Sequence, residues 1–291
     1  NPSNELIIGY VHEKEEFDAS NYGLVVNTDL STDAIYLENL MLLDKHQLLI
    51  AMRLNNKEAI EDEDTWNLEY GYKVNTKIKF IINFGKAIRN PSNFDLYGFG
   101  GNQTLLPEVS NNKSIGVQYT PNELGSIGLR FFENSIDELI AFNYSDYKLY
   151  NIEEALIKGL DFEFSTLIMN WEFNFNAIIQ EADNITNHSR LLRRPKSSIG
   201  MGLRRSFGKL DLNINISKNS SRIDFGGVKL NQYLIGNIVM RYRMNNRLSF
   251  KAALNNFTDE FNGNDINKSV GSLVLLFVSS FIFLIFISNA P

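Results

Sequence analysis

The 291-residue chain has no cysteine, only three histidines and no excess of positive charge. Without cysteine there can be no disulfide framework, no thiolate metal site and no cysteine nucleophile. With 28 Lys and Arg against 34 Asp and Glu, the formal net charge is -6 and the pI about 5.3. Nucleic-acid recognition needs a basic face, so no nucleic-acid partner is expected. His12, His46 and His188 stand in no motif with a nucleophile, and "HEKEEFD" (12–18) lacks the two-histidine helical spacing of a metalloprotease and reads as a strand end entering a polar loop. The chain therefore reads as a non-enzyme. It also begins at "NPSNELIIGY", with no initiator Met, basic n-region or apolar h-region, and the expectation is an internal piece of a longer protein.

Helical spacing is missing too, whereas period-two alternation runs from residue 5 to 257. In "TWNLEYGYKV" one face carries Trp66, Leu68, Tyr70, Tyr72 and Val74, the other Asn67, Glu69, Gly71 and Lys73. "KIKFIINFGK" gives Ile78, Phe80, Ile82 and Phe84 on one face. "KLDLNINISKN" sets Leu210, Leu212, Ile214 and Ile216 against Asp211, Asn213, Asn215 and Ser217. Short turns such as "DKHQ" (44–47), "VNTK" (74–77), "PNELG" (121–125), "SFGK" (206–209) and "MNN" (244–246) alternate with longer polar loops. The longer loops include "NKEAIEDED" (56–64), "LYGFGGNQTLLPEVSNN" (96–112), "EADNITNHSRLLRR" (181–194) and "SKNSSRIDFGG" (217–227). Such alternation describes an all-β, antiparallel up-and-down meander with two unlike ends.

Two architectures bury one face of such strands: a soluble sandwich with a dry core, and a transmembrane β-barrel with lipid outside and water or a plug inside. The second face here is too polar and glycine-rich for a dry core. The 21 Phe and 12 Tyr include many at strand ends, among them Tyr10, Phe84, Tyr119, Phe131, Tyr242, Phe250 and Phe257, as in the interfacial girdles of membrane barrels. The mean hydropathy of -0.18 is compatible, because only every second residue would face lipid. About 13 strands are expected, at roughly 20 residues per strand and connection. An odd number does not close a bacterial single-chain barrel of the usual kind.

Three segments resemble TonB-dependent outer-membrane receptors. Around the long loop of residues 84–119 the matching positions are Gly85, Pro91, Leu96, Tyr97, Gly98, Gly101, Asn102, Leu105, Pro107 and Glu108. "ALIKGLDFEFS" (155–165) and "LNNFTDEF" (254–261) follow in the family's order and spacing. Within the family the likeness is greatest to the cobalamin receptors, through residues 134–159 and "SRLLRRPKSSIGMGL" (189–203).

The resemblance implies the C-terminal portion of a barrel of about 22 strands, with plug, TonB box, signal peptide and early strands upstream. It implies TonB-dependent uptake of cobalamin or a related corrinoid across the outer membrane of a Gram-negative bacterium. A siderophore or haem receptor, or a passive porin, is the alternative. Implied partners are the bulky ligand, TonB through the upstream segment, and outer-membrane lipid and lipopolysaccharide around a monomer. The family's calcium-binding aspartates would lie upstream, so no cofactor or metal site is assigned here. Arg193, the first arginine of "LLRR", matches a ligand contact at the extracellular mouth; the alternative is a rim cluster with Arg194 and Lys196, on lipid phosphates or nearby acids. Where the family's next loop offers a tyrosine, this chain offers Phe225.

Two stretches stand apart. "EAIEDED" (58–64) is an acidic loop that reads as solvated, although carboxylate clusters can bind a hard cation. From Val270 to Ile287 no charge occurs, a stretch just long enough for a transmembrane helix and without the alternation of a barrel strand. Residues 1–267 are thus expected to form the partial barrel and 268–291 an apolar tail of different origin, such as a frameshifted gene end. Open first and last edges would keep the barrel portion from folding unaided in lipid.

Overall fold

In the computed structural model, described for residues 3–21, 24–57, 63–122, 124–258, 272–278 and 282–284, the chain is almost wholly β-strand. The strands begin with β1 (Ser3–Asn21), β2 (Leu24–Leu43), β3 (His46–Lys57), β4 (Glu63–Lys73), β5 (Ile78–Arg89) and β6 (Glu108–Asn122). Next come β7 (Gly125–Asn143), β8 (Lys148–Ile168), β9 (Trp171–Asn184), β10 (Ser189–Arg190), β11 (Ser197–Phe207) and β12 (Leu210–Asn219). They end with β13 (Arg222–Ile223), β14 (Lys229–Leu230), β15 (Tyr233–Arg243), β16 (Ser249–Asn255), β17 (Ser272–Val278) and β18 (Ile282–Leu284). A five-residue helix, α1 (Asn93–Tyr97), and a 3-10 turn at Phe225–Gly227 interrupt them.

Strand neighbours follow chain order from β1 to β9, then β11, β12, β15, β16, β17 and β18; β10 pairs with β9, and β13 with β14. Thirteen strands of seven residues or more lie between Ser3 and Asn255, matching the expected number. The chain divides into two compact units. One comprises the chain up to Gln118, Arg130–Gly159 and Glu181–Leu191; the other comprises Tyr119–Leu129, Leu160–Gln180 and the chain from Leu192.

In the first unit, register converts the period-two pattern into rows. Ile8, Leu37, Met52 and Trp66 stand opposite one another in turn, as do Ile50, Leu68 and Phe84, and all seven are exposed. The other face aligns Glu38, Ala51, Asn67 and Gly85, and also Tyr36, Arg53 and Thr65. Polar side chains on it bond across strands: Asn83 Nδ2 donates to Asn67 Oδ1 at 2.8 Å, and Lys79 Nζ to Gln47 Oε1 at 2.9 Å. A hollow of about 640 Å³ lies against this face, with Tyr36, Glu38, Arg53, Thr65 and Asn67 in its wall.

The second unit repeats the scheme. Phe173, Leu203, Ile214 and Ile238 form one row; Asn174, Gly202, Asn215 and Asn237, one residue along, form a row on the opposite face. Phe162 and Phe164 extend the apolar face, with ring centroids 6.0 and 5.7 Å from Phe175 and Phe173.

Burial is inverted relative to a soluble protein. Large apolar side chains cover the outside, whereas among the described residues the buried apolar ones are few and half of them alanine: Leu30, Ala34, Leu105, Ile152, Ala155, Ala182, Leu191 and Ala253. The largest fully buried side chains are Asn93 and Pro91. Continuous exposed apolar rows on one face and a polar opposite face suit lipid on the first and water on the second. Aromatic rings collect by the short turns, with His46 5.2 Å from Tyr72 in the first unit and Trp171 5.7 Å from Phe207 in the second.

Four local expectations change. "HEKEEFD" lies inside β1, paired with β2 along its length, because its bases find acids across the strands: His12 Nδ1 is 2.8 Å from Asp33 Oδ1, and Lys14 Nζ bridges Asp29 at 2.8 Å and Glu16 at 3.2 Å. The loop after β5 contains α1, and β6 starts at Glu108. The apolar tail forms strand where it is described: β17 pairs antiparallel with β16, Asn255 opposite Ser272 and Ser249 opposite Val278. An unpaired strand edge offers a row of backbone donors and acceptors, which a following apolar segment can satisfy whatever its periodicity. Among the described residues no helix is long and apolar enough to cross a membrane. Residues 58–62 of the acidic loop lie outside the described residues.

The two faces can be told apart by charge. Ile214→Arg is expected to destabilise the complete, bilayer-inserted receptor by about 2–4 kcal/mol, and the adjacent Asn215→Arg by far less. Denaturant titration in lipid vesicles measures both; equal costs would refute the lipid-facing assignment.

Candidate functional site

The long connection between β5 and β6 is built by its own side chains. Ser92 caps α1: its Oγ accepts from the Asp95 N–H at 3.1 Å, and Asp95 Oδ2 accepts from the Ser92 N–H at 2.9 Å. This reciprocal capping box satisfies two donors that so short a helix would leave open. After the helix the chain folds back tightly, with the Gly101 N–H on the Gly98 carbonyl at 3.0 Å and the Asn102 N–H on the Asp95 carbonyl at 2.9 Å. A Cβ at Gly101 would stand 2.7 Å from the Leu96 carbonyl oxygen, so only glycine fits there.

Each remaining motif residue has a structural task. Asn102 Oδ1 accepts from the Thr104 N–H at 2.9 Å, and its Nδ2 donates to the Leu149 carbonyl at 3.0 Å, tying the loop to β8. Leu105 is buried at 7% exposure. Pro107, which has no N–H to donate, follows Leu106, whose N–H and carbonyl both bond the Asn151 side chain, at 3.0 and 3.1 Å. Asn151 thereby acts as a strand partner, and its Nδ2 also reaches the Glu138 carbonyl at 2.7 Å, where φ of 57° kinks β7. Glu108 Oε1 accepts from Arg89 Nη2 at 2.7 Å and from the Ile140 N–H at 2.8 Å. All these contacts lie within the first unit.

Arg193 and Phe225 lie in the second unit, and the structure brings them to one place through Asp224. Arg193 takes a left-handed φ of 59°, its N–H donates to the Ile223 carbonyl at 2.8 Å, and its Nε donates to Asp224 Oδ1 at 2.6 Å. The same Oδ1 accepts from the Phe225 N–H at 2.8 Å. A miniature hairpin of β13 and β14, closed by the Asp224 N–H on the Val228 carbonyl at 2.7 Å, presents Phe225 with 44% of its surface exposed. The Arg193 guanidinium, assisted by the Phe225 N–H, holds the Asp224 carboxyl below the usual carboxylate range. What results is a planar cationic fork, oriented by an acid, beside an exposed aromatic ring.

Sequence reasoning named Arg193 and Phe225 and missed Asp224, Asn151, Arg89 and Asp95. For α1 a signal existed, since Ser92 and Asp95 have the spacing of a capping box. For Asn151 and Asp224 there was none, because their partners are 45 and 31 residues away.

Strands in chain order, an apolar outer face, short turns opposite long loops and loops carrying the polar contacts define a membrane barrel of the outer-membrane type. The family model described as TonB dependent receptor-like, beta-barrel, matches residues 9–257, and the chain belongs to this family of outer-membrane receptors. Among curated relatives, the vitamin B12 transporter BtuB of Photobacterium profundum is 26% identical over 239 residues, covering 78% of this chain and 39% of the relative. BtuB of Vibrio vulnificus is 24% identical over 218 residues, covering 72% and 35%. The chain thus spans well under half the length of these relatives.

Among solved structures, a variant of the ferric enterobactin receptor PfeA from Pseudomonas aeruginosa is similar with TM-score 0.72 and 17% identity, over 88% of this chain and 46% of that one. The siderophore receptor PirA from Acinetobacter baumannii gives TM-score 0.67 and 14% identity, over 92% and 53%. These likenesses concern the fold alone.

Two outcomes follow. Asn102→Ala strands the Leu149 carbonyl and the Thr104 N–H, at about 1–3 kcal/mol. Proteolysis within residues 93–107 should therefore accelerate while the barrel keeps its gel-shift signature of folding; unchanged proteolysis would refute the structural role. The Asp224 carboxyl, depressed in the folded state, contributes stability above its unfolded value of about 3.9 and loses it as pH falls through the lower folded value. The tie to Arg193 therefore persists at neutral and mildly acid pH and opens only as pH falls through that lower value. An NMR titration of Asp224 with a midpoint at or above 3.9 would contradict this.

Proposed function

We propose that this chain is the barrel portion of a receptor for TonB-dependent uptake of cobalamin or a related corrinoid across the outer membrane of a Gram-negative bacterium. The observation carrying this reading is the likeness to two proteins named vitamin B12 transporters over 78% and 72% of the chain, a span that includes the "LLRR" segment. The chemistry at Arg193 supports it. A guanidinium presents five N–H donors in a rigid plane, which suits a ring rimmed with amide carbonyls. Asp224 fixes the orientation of the fork, and Phe225 supplies an apolar surface at its side. The ligand would enter at the long-loop end, and energy delivered through TonB would act on a plug inside the polar face.

Cyanocobalamin binding to outer membranes carrying the complete receptor tests the reading, with ferric enterobactin as the competing ligand. Submicromolar binding of cyanocobalamin is expected. Arg193→Ala should weaken it by about 10–100-fold, the worth of a hydrogen bond to a charged group. Absence of cyanocobalamin binding at micromolar concentration would overturn the assignment.

A further inference from the structure

Arg205 stands on the wrong face. In β11 it lies between Leu203 and Phe207 in the apolar row, opposite Leu212, which in turn faces the exposed Met240. Its neighbour Arg204 points to the polar side, where it approaches Glu172 at 3.8 Å. The acids at this end of the second unit are engaged on that polar side as well: Asp211 accepts from Arg243 Nη2 at 2.9 Å and from Ser206 Oγ at 2.7 Å. Arg205 has instead two aromatic rings. Its guanidinium carbon is 4.6 Å from the Phe207 ring centroid and 5.5 Å from that of Trp171, and the two rings meet edge to face. Its Nε is inaccessible to solvent and has no hydrogen-bond partner.

A guanidinium on a lipid-facing surface is costly unless an anion meets it. Stacking on two rings offsets part of that cost and fixes the plane of the fork, but rings accept no full hydrogen bond from Nε. The location indicates which anion is within reach. Arg205 is three residues from the Gly208 turn and two residues further in than Phe207, whose row continues through Leu210 to the exposed Tyr242; its guanidinium reaches back to the Phe207 ring, where aromatic rings mark the headgroup layer. A planar fork with two parallel donors matches a phosphodiester.

We propose that Arg205, clamped by Trp171 and Phe207, binds the phosphodiester of one bilayer phospholipid in the leaflet at the short-turn end. The site rests on the membrane-barrel reading. It takes the headgroup phosphate in the plane of the fork and lets the acyl chains run along the rows of Leu203, Leu212 and Met240.

Native mass spectrometry of the complete receptor released from nanodiscs of mixed phosphatidylcholine and phosphatidylglycerol tests it. The wild type should retain one phospholipid more than Arg205→Ala, whereas Arg204→Ala should retain the wild-type number. Arg205→Lys, which keeps the charge and loses the fork, should hold the lipid several-fold more weakly, and it serves in place of Arg205→Ala if that variant does not insert. Equal lipid retention by inserted wild type and Arg205→Ala would overturn the site while leaving the barrel reading intact. Failure of the wild type to insert at all would overturn both. Displacement of the lipid by millimolar inorganic phosphate would show a free-phosphate site and also refute the proposal.

Discussion

Backbone hydrogen bonding is the constraint on which everything else in this chain depends. In hydrocarbon no water is available to an unpaired N–H or C=O, so each strand must be flanked by another. Pairing in chain order meets that requirement with the shortest connections, and pairing also fixes register. Once Leu37 faces Met52 and Met52 faces Trp66, this apolar row lies on one side and the adjacent row of Glu38, Ala51 and Asn67 on the other. Lipid exposure is then a property of parity, since a slip of one residue would invert both faces at once.

Where strand pairing ends, side chains take over the same work. Asn151 bonds both backbone groups of Leu106, Asn102 bridges its own loop to Leu149, Ser92 and Asp95 close the ends of α1, and Glu108 joins Arg89 to the Ile140 amide. Of the residues by which the loop resembles the family, Asn102 and Glu108 are among these hydrogen-bonding residues, and Gly101 permits the tight turn. Their role is to hold a loop in shape at the edge of the sheet, whereas Arg193 and the Phe225 backbone meet at the Asp224 carboxylate of another loop.

Period-two alternation marked the thirteen long strands and their two faces, because every residue of a strand reports its side independently of distant partners. Turn lengths marked the two ends for the same local reason. The prediction faltered where a local pattern had two solutions. A polar run such as "HEKEEFD" reads as loop until Asp33, Ser31 and Asp29 are found opposite it. The apolar run after residue 269 reads as helix until an open strand edge lies beside it, and Ser272–Val278 then completes that edge. Arg205 carries no signal in the sequence, and only register places it outward with Trp171 and Phe207.

The sequence by itself determined the architecture class, the polarity of each strand face and the family likeness of the loops, since all three are written in spacing along the chain. Only the tertiary structure decided that Arg193 and Phe225 share the Asp224 carboxylate, that Asn151 serves Leu106, and that Arg205 faces lipid without an acid. Such contacts join residues tens of positions apart, and their geometry exists only when the intervening strands have fixed where each loop and each side chain lies.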